Sequence, residues 1–186
     1  MKTFIKNIAN IQTGCYARPI EEGDVVYLQS KHFNEYGQLN ALLHPDLNRK
    51  EISEKHLLKD GDVLFAAKGT KNFAVVYENH NEPAVASTSF FVIRINNNAI
   101  LPNYLAWFFN SHHAQTIIKG QALGTSILSI SKQVLENLEL EVPSIETQKA
   151  ILQIITLRAK EKKLKQDIEA LREKEIQVRI MQAVAQ

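Results

Sequence analysis

Up to about residue 142 the apolar positions of this chain fall into short extended runs; beyond it they take a helical period. Residues 1–13 read as a short structured entry, with Phe4, Ile5, Ile8 and Ile11 at roughly helical spacing. Gly14 to Pro19 predicts a loop. Val25-Val26-Tyr27-Leu28 is β-branched and aromatic and predicts a strand. Residues 30–50 are polar and broken by Gly37 and Pro45. The turn Lys59-Asp60-Gly61-Asp62 leads into a strand over Val63–Ala67, and the polar turn Lys68 to Asn72 leads into another over Phe73–Tyr77. Ala84 to Ile95 reads as a further extended run. Pro102 opens a helix to Asn110, with Leu105, Trp107, Phe108 and Phe109 as its apolar surface and the three aromatics in the core. Residues 119–131 read as a loop, and Leu138–Val142 alternates as a half-buried strand does. The expected fold class is α+β: a strand-rich domain over residues 1–143, then a long C-terminal coiled-coil helix over 144–186.

The junction is sharp. Pro143 lacks an N–H and pushes Val142 toward an extended conformation. Ser144 is placed to cap the helix, and neither Gly nor Pro occurs after it. A heptad register runs through this segment, with Ile154, Glu161, Ile168 and Glu175 at a and Leu157, Leu164, Leu171 and Val178 at d. The e positions, Arg158, Lys165, Arg172 and Arg179, are all basic. Such a helix is about 50 Å long at ~1.5 Å per residue. It serves either as a pairing device or as a helix folded back on its own domain.

Composition narrows the class. With 45% hydrophobic and 23% charged residues, the chain has the make-up of a soluble protein. No apolar run reaches membrane-spanning length, and the first residues lack the apolar core of a signal peptide. One cysteine, Cys15, permits no intrachain disulfide, so a reducing cytoplasm is expected. Net charge is +2 overall, but residues 144–186 carry +3 and residues 1–143 carry −1. Binding of nucleic acid by the first domain therefore rests on local placement of charge, or is shared with a partner.

Four segments, in order, resemble the specificity subunits of Type I restriction-modification systems. They are Ile8 to Gly14; Leu57 to Gly69 with its Gly-Asp turn; Leu101-Pro102-Asn103-Tyr104-Leu105-Ala106-Trp107-Phe108-Phe109-Asn110-Ser111; and Gly124-Thr125-Ser126 through Ile130-Ser131 to the Val142-Pro143 join and Gln148. The resemblance implies a DNA target-recognition domain followed by a coiled-coil helix. Family subunits usually carry two such pairs, one for each half of a split DNA site, whereas this chain has one of each. It is similar to a half-subunit, or to a fragment of a longer one. The implied partners are double-stranded DNA, a methyltransferase (modification) subunit, a restriction-translocase subunit and, for a half-subunit, a second copy.

DNA recognition needs cations and N–H groups for phosphates, and amides, hydroxyls or guanidinium groups for base edges. The loops offer such residues in clusters. Lys68, Thr70, Lys71 and Asn72 flank Gly69; Lys31, His32 and Asn34 follow a strand with Gln29 and Ser30; Lys119, Gln121, Thr125, Ser126, Ser129 and Lys132 form a third group. Gln12, Thr13, Tyr16 and Arg18 form a fourth. For each, a solvated surface loop is the alternative. Ile154, Leu157, Leu164, Ile168, Leu171 and Val178 are the candidate dimerisation residues.

Catalytic patterns are weak. Cys15 lies in no nucleophile context, and His112-His113 are adjacent rather than one turn apart, so they do not share a metal on one helix face. Lys68-Gly69-Thr70 lacks the preceding glycine of a phosphate-binding loop. Asp60 and Asp62 flank Gly61 in a turn, where Asp is favoured structurally. Nothing resembles an adenosylmethionine-binding motif. The expectation is a non-catalytic DNA-specificity module with no cofactor and no metal. The second reading is a protein-interaction module assembled through its C-terminal helix.

Overall fold

The computed structural model describes residues 1–34, 37–40, 42–69, 72–78, 82–121 and 129–185. Two compact units are present, Met1–Ile145 and Glu146–Gln186. In the first unit the strands are β1 (Lys2–Phe4), β2 (Ala9–Thr13), β3 (Val26–Leu28), β4 (Val63–Ala66), β5 (Ala74–Val76), β6 (Ala84–Ala86), β7 (Phe90–Ile95) and β8 (Glu139–Glu141). Its helices are α1 (Pro102–Asn110), α2 (His112–Gln121) and α3 (Lys132–Glu136), with 3-10 turns at Ile5–Asn7, Ser30–His32, Arg49–Glu51 and Glu54–His56.

The central sheet is antiparallel in the order β2-β7-β4-β5. Two smaller pairs flank it, β1 with β8 antiparallel and β3 with β6 parallel. β4 is buried at every position, so its run Val63-Leu64-Phe65-Ala66 is apolar throughout rather than alternating. Leu64, Phe73, Phe90 and Val92 pack with Val26, Leu28, Ala84 and Ala86 in one cluster, while Phe65 meets the Phe109 ring at 5.4 Å.

Four expectations are corrected here. Residues 1–13 are not helical: two strands bracket one 3-10 turn, which buries Ile5 and Ile8, and Ile11 faces inward on a five-residue ladder with β7. Tertiary pairing outweighs a chance helical spacing of four apolar residues. Residues 119–121 belong to the last turn of α2 rather than to a loop, and α3 begins at Lys132. Phe108 and Phe109 are buried, but Trp107 is half-buried, its ring 5.3 Å from that of Tyr104. The extended run Ala84 to Ile95 is two strands, broken where Phe90 N–H donates to the Ser87 carbonyl.

Tyr27, inside β3, is core, as its strand context implies. The Asp60-Gly61-Asp62 turn is structural: Gly61 has φ +83, and Asp62 accepts from the Lys59 N–H at 2.8 Å. Asp62 is 2% exposed and pairs with Arg94, whose Nε donates to Oδ1 at 2.8 Å and Nη2 to Oδ2 at 2.5 Å. The sequence reading missed Arg94. A charge inside the apolar run of β7 was the available signal that a buried carboxylate stands opposite.

The second unit is α4 (Ile145–Val184), 40 residues and about 60 Å at ~1.5 Å per residue. Ile154, Leu157, Leu164, Ile168, Leu171 and Val178 are each 48–65% exposed. Glu161 and Glu175 are drawn sideways, to Lys165 at 2.7 Å and Arg179 at 2.6 Å. Toward the end of the helix a second exposed apolar row, Ile176, Ile180 and Val184, lies outside the heptad register.

Candidate nucleic-acid interface

Strand register gathers the polar clusters at one end of the first unit. Thr13 pairs with Phe91, Phe91 with Phe65, and Phe65 with Ala74, so these four residues form one row across the sheet. Beyond that row lie the segment after β2 (Gly14 to Arg18), the β6–β7 connection (Ser87 to Ser89) and the β4–β5 turn. β3 ends at the same place, because Leu28 pairs with Ala86 and its carbonyl accepts from Ser87 N–H at 2.8 Å. Phe33 anchors the following segment, its ring 5.7 Å from both Phe73 and Phe90. Lys68 pairs with Ser129 in an isolated bridge, and Ile130 N–H donates to the Ala67 carbonyl at 2.9 Å. Members of all four predicted clusters therefore reach one end of the β framework.

Individual candidates sit differently within it. Lys31 is exposed at a 3-10 turn. His32 is half-buried, and its Nδ1 accepts from Gln29 N–H at 3.3 Å in a reciprocal cap. Burial first, then the Lys31 charge, pushes the His32 imidazole below its ordinary pKa, against a small opposing effect of Asp46. Asn34 Nδ2 donates to Gln38 Oε1 and its Oδ1 accepts from Gln38 N–H, both at 2.9 Å. Lys68 and Ser129 are exposed. Asn72 Nδ2 donates to the Ala66 carbonyl at 2.8 Å, which closes the β4–β5 turn from inside. Lys119 and Gln121 are exposed on the last turn of α2, and Lys132 pairs with Glu136 at 3.2 Å. Thr70, Lys71, Thr125 and Ser126 lie outside the described residues.

The turn is firmly based. Ala66 N–H donates to Phe73 O at 2.8 Å and Ala67 N–H to Ser89 O at 2.9 Å. Gly69 has φ +117, which a side chain rarely adopts, so the backbone needs glycine at that point. A fixed base beside the exposed Lys68 lets a phosphate contact form there at a small ordering cost.

The family model of the Type I restriction modification DNA specificity domain matches residues 3–170. The chain belongs to this family. It is 30% identical over 123 residues to the Type I restriction enzyme HindI specificity subunit of Haemophilus influenzae, a match covering 63% of this chain and 27% of that protein. Among solved structures, the HsdS subunit from Thermoanaerobacter tengcongensis superposes with TM-score 0.59 at 12% identity, over 87% of this chain and 37% of that one. The Type-I restriction-modification system S subunit from M. genitalium gives 0.57 at 16%, over 84% and 38%. A chain from a type I R-M system studied for its complex assembly gives 0.63 at 13%, over 87% and 38%. At these identities the superpositions show the fold, a strand-rich specificity domain with a long helix after it. The chain spans about a quarter to two fifths of the relatives it matches. No described helix is long and apolar enough to cross a membrane.

Proposed function

We propose that this chain recognises one half of a split double-stranded DNA site in the cytoplasm, and that it directs a methyltransferase and a restriction-translocase subunit there. The family match over residues 3–170 carries the reading. Residues 1–143 serve as the recognition domain and 144–186 as the helical pairing and spacer region. The gathered cluster at the sheet end supports Lys31 and Lys68 as phosphate contacts, with His32, Asn34 and Ser129 among the polar groups beside them; Lys119 and Gln121 at the end of α2 and Lys132 at the start of α3 are assigned to the same interface. Two copies, joined through α4, would present two such faces to the two halves of the site.

The test is titration of a cognate duplex with the chain and its methyltransferase subunit across a salt series. Lys68→Ala with Lys71→Ala should weaken binding to every sequence and lower the magnitude of the log–log salt slope by about 2, since two phosphate contacts are lost. An unchanged affinity and slope would remove this turn from the interface. Affinity for DNA that is insensitive to both sequence and salt would remove the function itself.

A further inference from the structure

At the β2 edge of the same sheet end lies a cleft of about 410 Å³ formed by the segment Gly14–Tyr16 on one side and Glu51, Ile52, Ser53 and His56 on the other. Its walls are held by bonds to the surrounding framework. Tyr27 Oη donates to Cys15 O at 3.1 Å and accepts from Ala17 N–H at 3.3 Å, so one core hydroxyl pins the backbone on both sides of Tyr16. Gly14 passes so close to β6 that a Cβ there would lie 2.1 Å from Ser87 O. On the other wall, Gln12 Nε2 donates to Lys55 O at 3.0 Å, and Arg49 is ion-paired with Glu54.

Two observations point outward from this rigid frame. Tyr16 is 74% exposed although its backbone is fixed on both sides. An exposed aromatic on a preorganised loop loses little entropy on binding. His56 Nδ1 is the one buried side-chain nitrogen or oxygen without a hydrogen-bond partner among the described residues. An orphan of this kind marks a polar site that an outside group or water completes. Burial and the neighbouring Lys55 charge push the His56 imidazole below its ordinary pKa, so it is neutral near pH 7.

We propose that this cleft is a second base-reading element of the recognition face, taking the edge of a base pair that bears an exocyclic amino group. The inference rests on the DNA-recognition reading above. The chemistry of the lining selects the ligand. Its one formal charge is the Glu51 carboxylate, which repels phosphate and accepts from the amino group of cytosine or adenine. The Ser53 hydroxyl adds a donor or acceptor, and the Tyr16 ring supplies an apolar wall. Along the sheet end, the cleft follows β2 and Lys68 follows β4, two strand spacings away, about 10 Å at ~4.8 Å each.

The experiment selects preferred duplexes from a randomised pool with the complex of chain and methyltransferase subunit. Wild type is compared with Tyr16→Ala, Ser53→Ala, Glu51→Gln and Lys68→Ala, all at exposed side chains. The first three should flatten preference at one base pair about tenfold, leave the other positions sharp and keep the salt slope. Lys68→Ala should weaken all sequences and reduce the slope. If the three cleft variants retain the wild-type preference at every position while Lys68→Ala weakens binding, the cleft is not a reading element and the interface stands. If no sequence is enriched and Lys68→Ala changes nothing, DNA recognition fails and the cleft assignment falls with it.

Discussion

The side-chain amide of Asn110 closes both outward-facing backbone groups of Ala74: Oδ1 accepts from its N–H at 2.8 Å, and Nδ2 donates to its carbonyl at 2.7 Å. Ala74 lies on β5, the edge of the central sheet, and an edge strand presents unpaired backbone groups there. Asn110 thus substitutes for a missing neighbour strand and stitches α1 to the hairpin that carries the Lys68 turn. Asn110→Ala should cost about 1–3 kcal/mol, since it orphans two buried backbone groups. Asn110→Asp should not restore the wild type, because a carboxylate accepts from the N–H but repels the carbonyl. Chemical denaturation gives the magnitude, and hydrogen exchange should show the loss concentrated in β5. Uniform loss across the sheet would contradict the clamp.

Breaking the pair between Arg94 and Asp62 should be among the most damaging single changes in the first unit. Arg94 also donates to Leu57 O at 3.1 Å, so it ties β7 to the segment before the Gly-Asp turn. Arg94→Met leaves Asp62 charged at 2% exposure. The expected cost is about 3 kcal/mol, the low end for a broken buried pair because Arg94 itself keeps some solvent. Arg94→Met combined with Asp62→Leu should recover part of the loss, and a double-mutant cycle by urea denaturation measures the coupling.

His32 makes stability depend on pH in a defined direction. Its folded-state pKa is lowered, so the unfolded chain takes up the proton first as pH falls below about 6.5. The stabilisation is complete above that value and is lost progressively toward the folded pKa. Protonating Nδ1 also removes the acceptor for Gln29 N–H. The thermal midpoint should fall from pH 7 to pH 5.5, and His32→Gln should make that fall shallower. An equal fall in both proteins would place the titrating group elsewhere, with His56, lowered for similar reasons, next to be tested.

The exposed apolar row of α4 should be covered by a second copy. Full burial of a large side chain is worth roughly 1.5–3 kcal/mol, so Leu157, Leu164, Leu171 and Val178 together supply a substantial drive. The all-basic e row, Arg158, Lys165, Arg172 and Arg179, opposes self-pairing and makes it salt-dependent. Added salt should tighten the dimer, and Leu164→Asp with Leu171→Asp should abolish it while leaving the first unit folded. Light scattering at micromolar concentration decides this. A wild-type chain that stays monomeric at both low and high salt would exclude pairing through α4.

The sequence by itself determined the long helix, because Pro143 stops the preceding extended segment and no later Gly or Pro interrupts the run. It also determined the strands with dense β-branched or aromatic runs, β3, β4 and β7, and the Gly61 turn, where one residue type serves a positive φ. Those features are local, and local chemistry encodes them. The strands within residues 1–13 were not legible, since their pairing partners, β7 and β8, lie roughly 80 to 140 positions away. Nor was the role of Asn72, in a turn, or of Asn110, at a helix end: an amide there looks the same whether it faces solvent or closes backbone groups. The meeting of Lys68 with Ser129, and of Tyr16 with His56 around one cleft, depends on strand order and register. Only the tertiary structure decides those, because they arise when distant strands are paired and their loops are carried to one end.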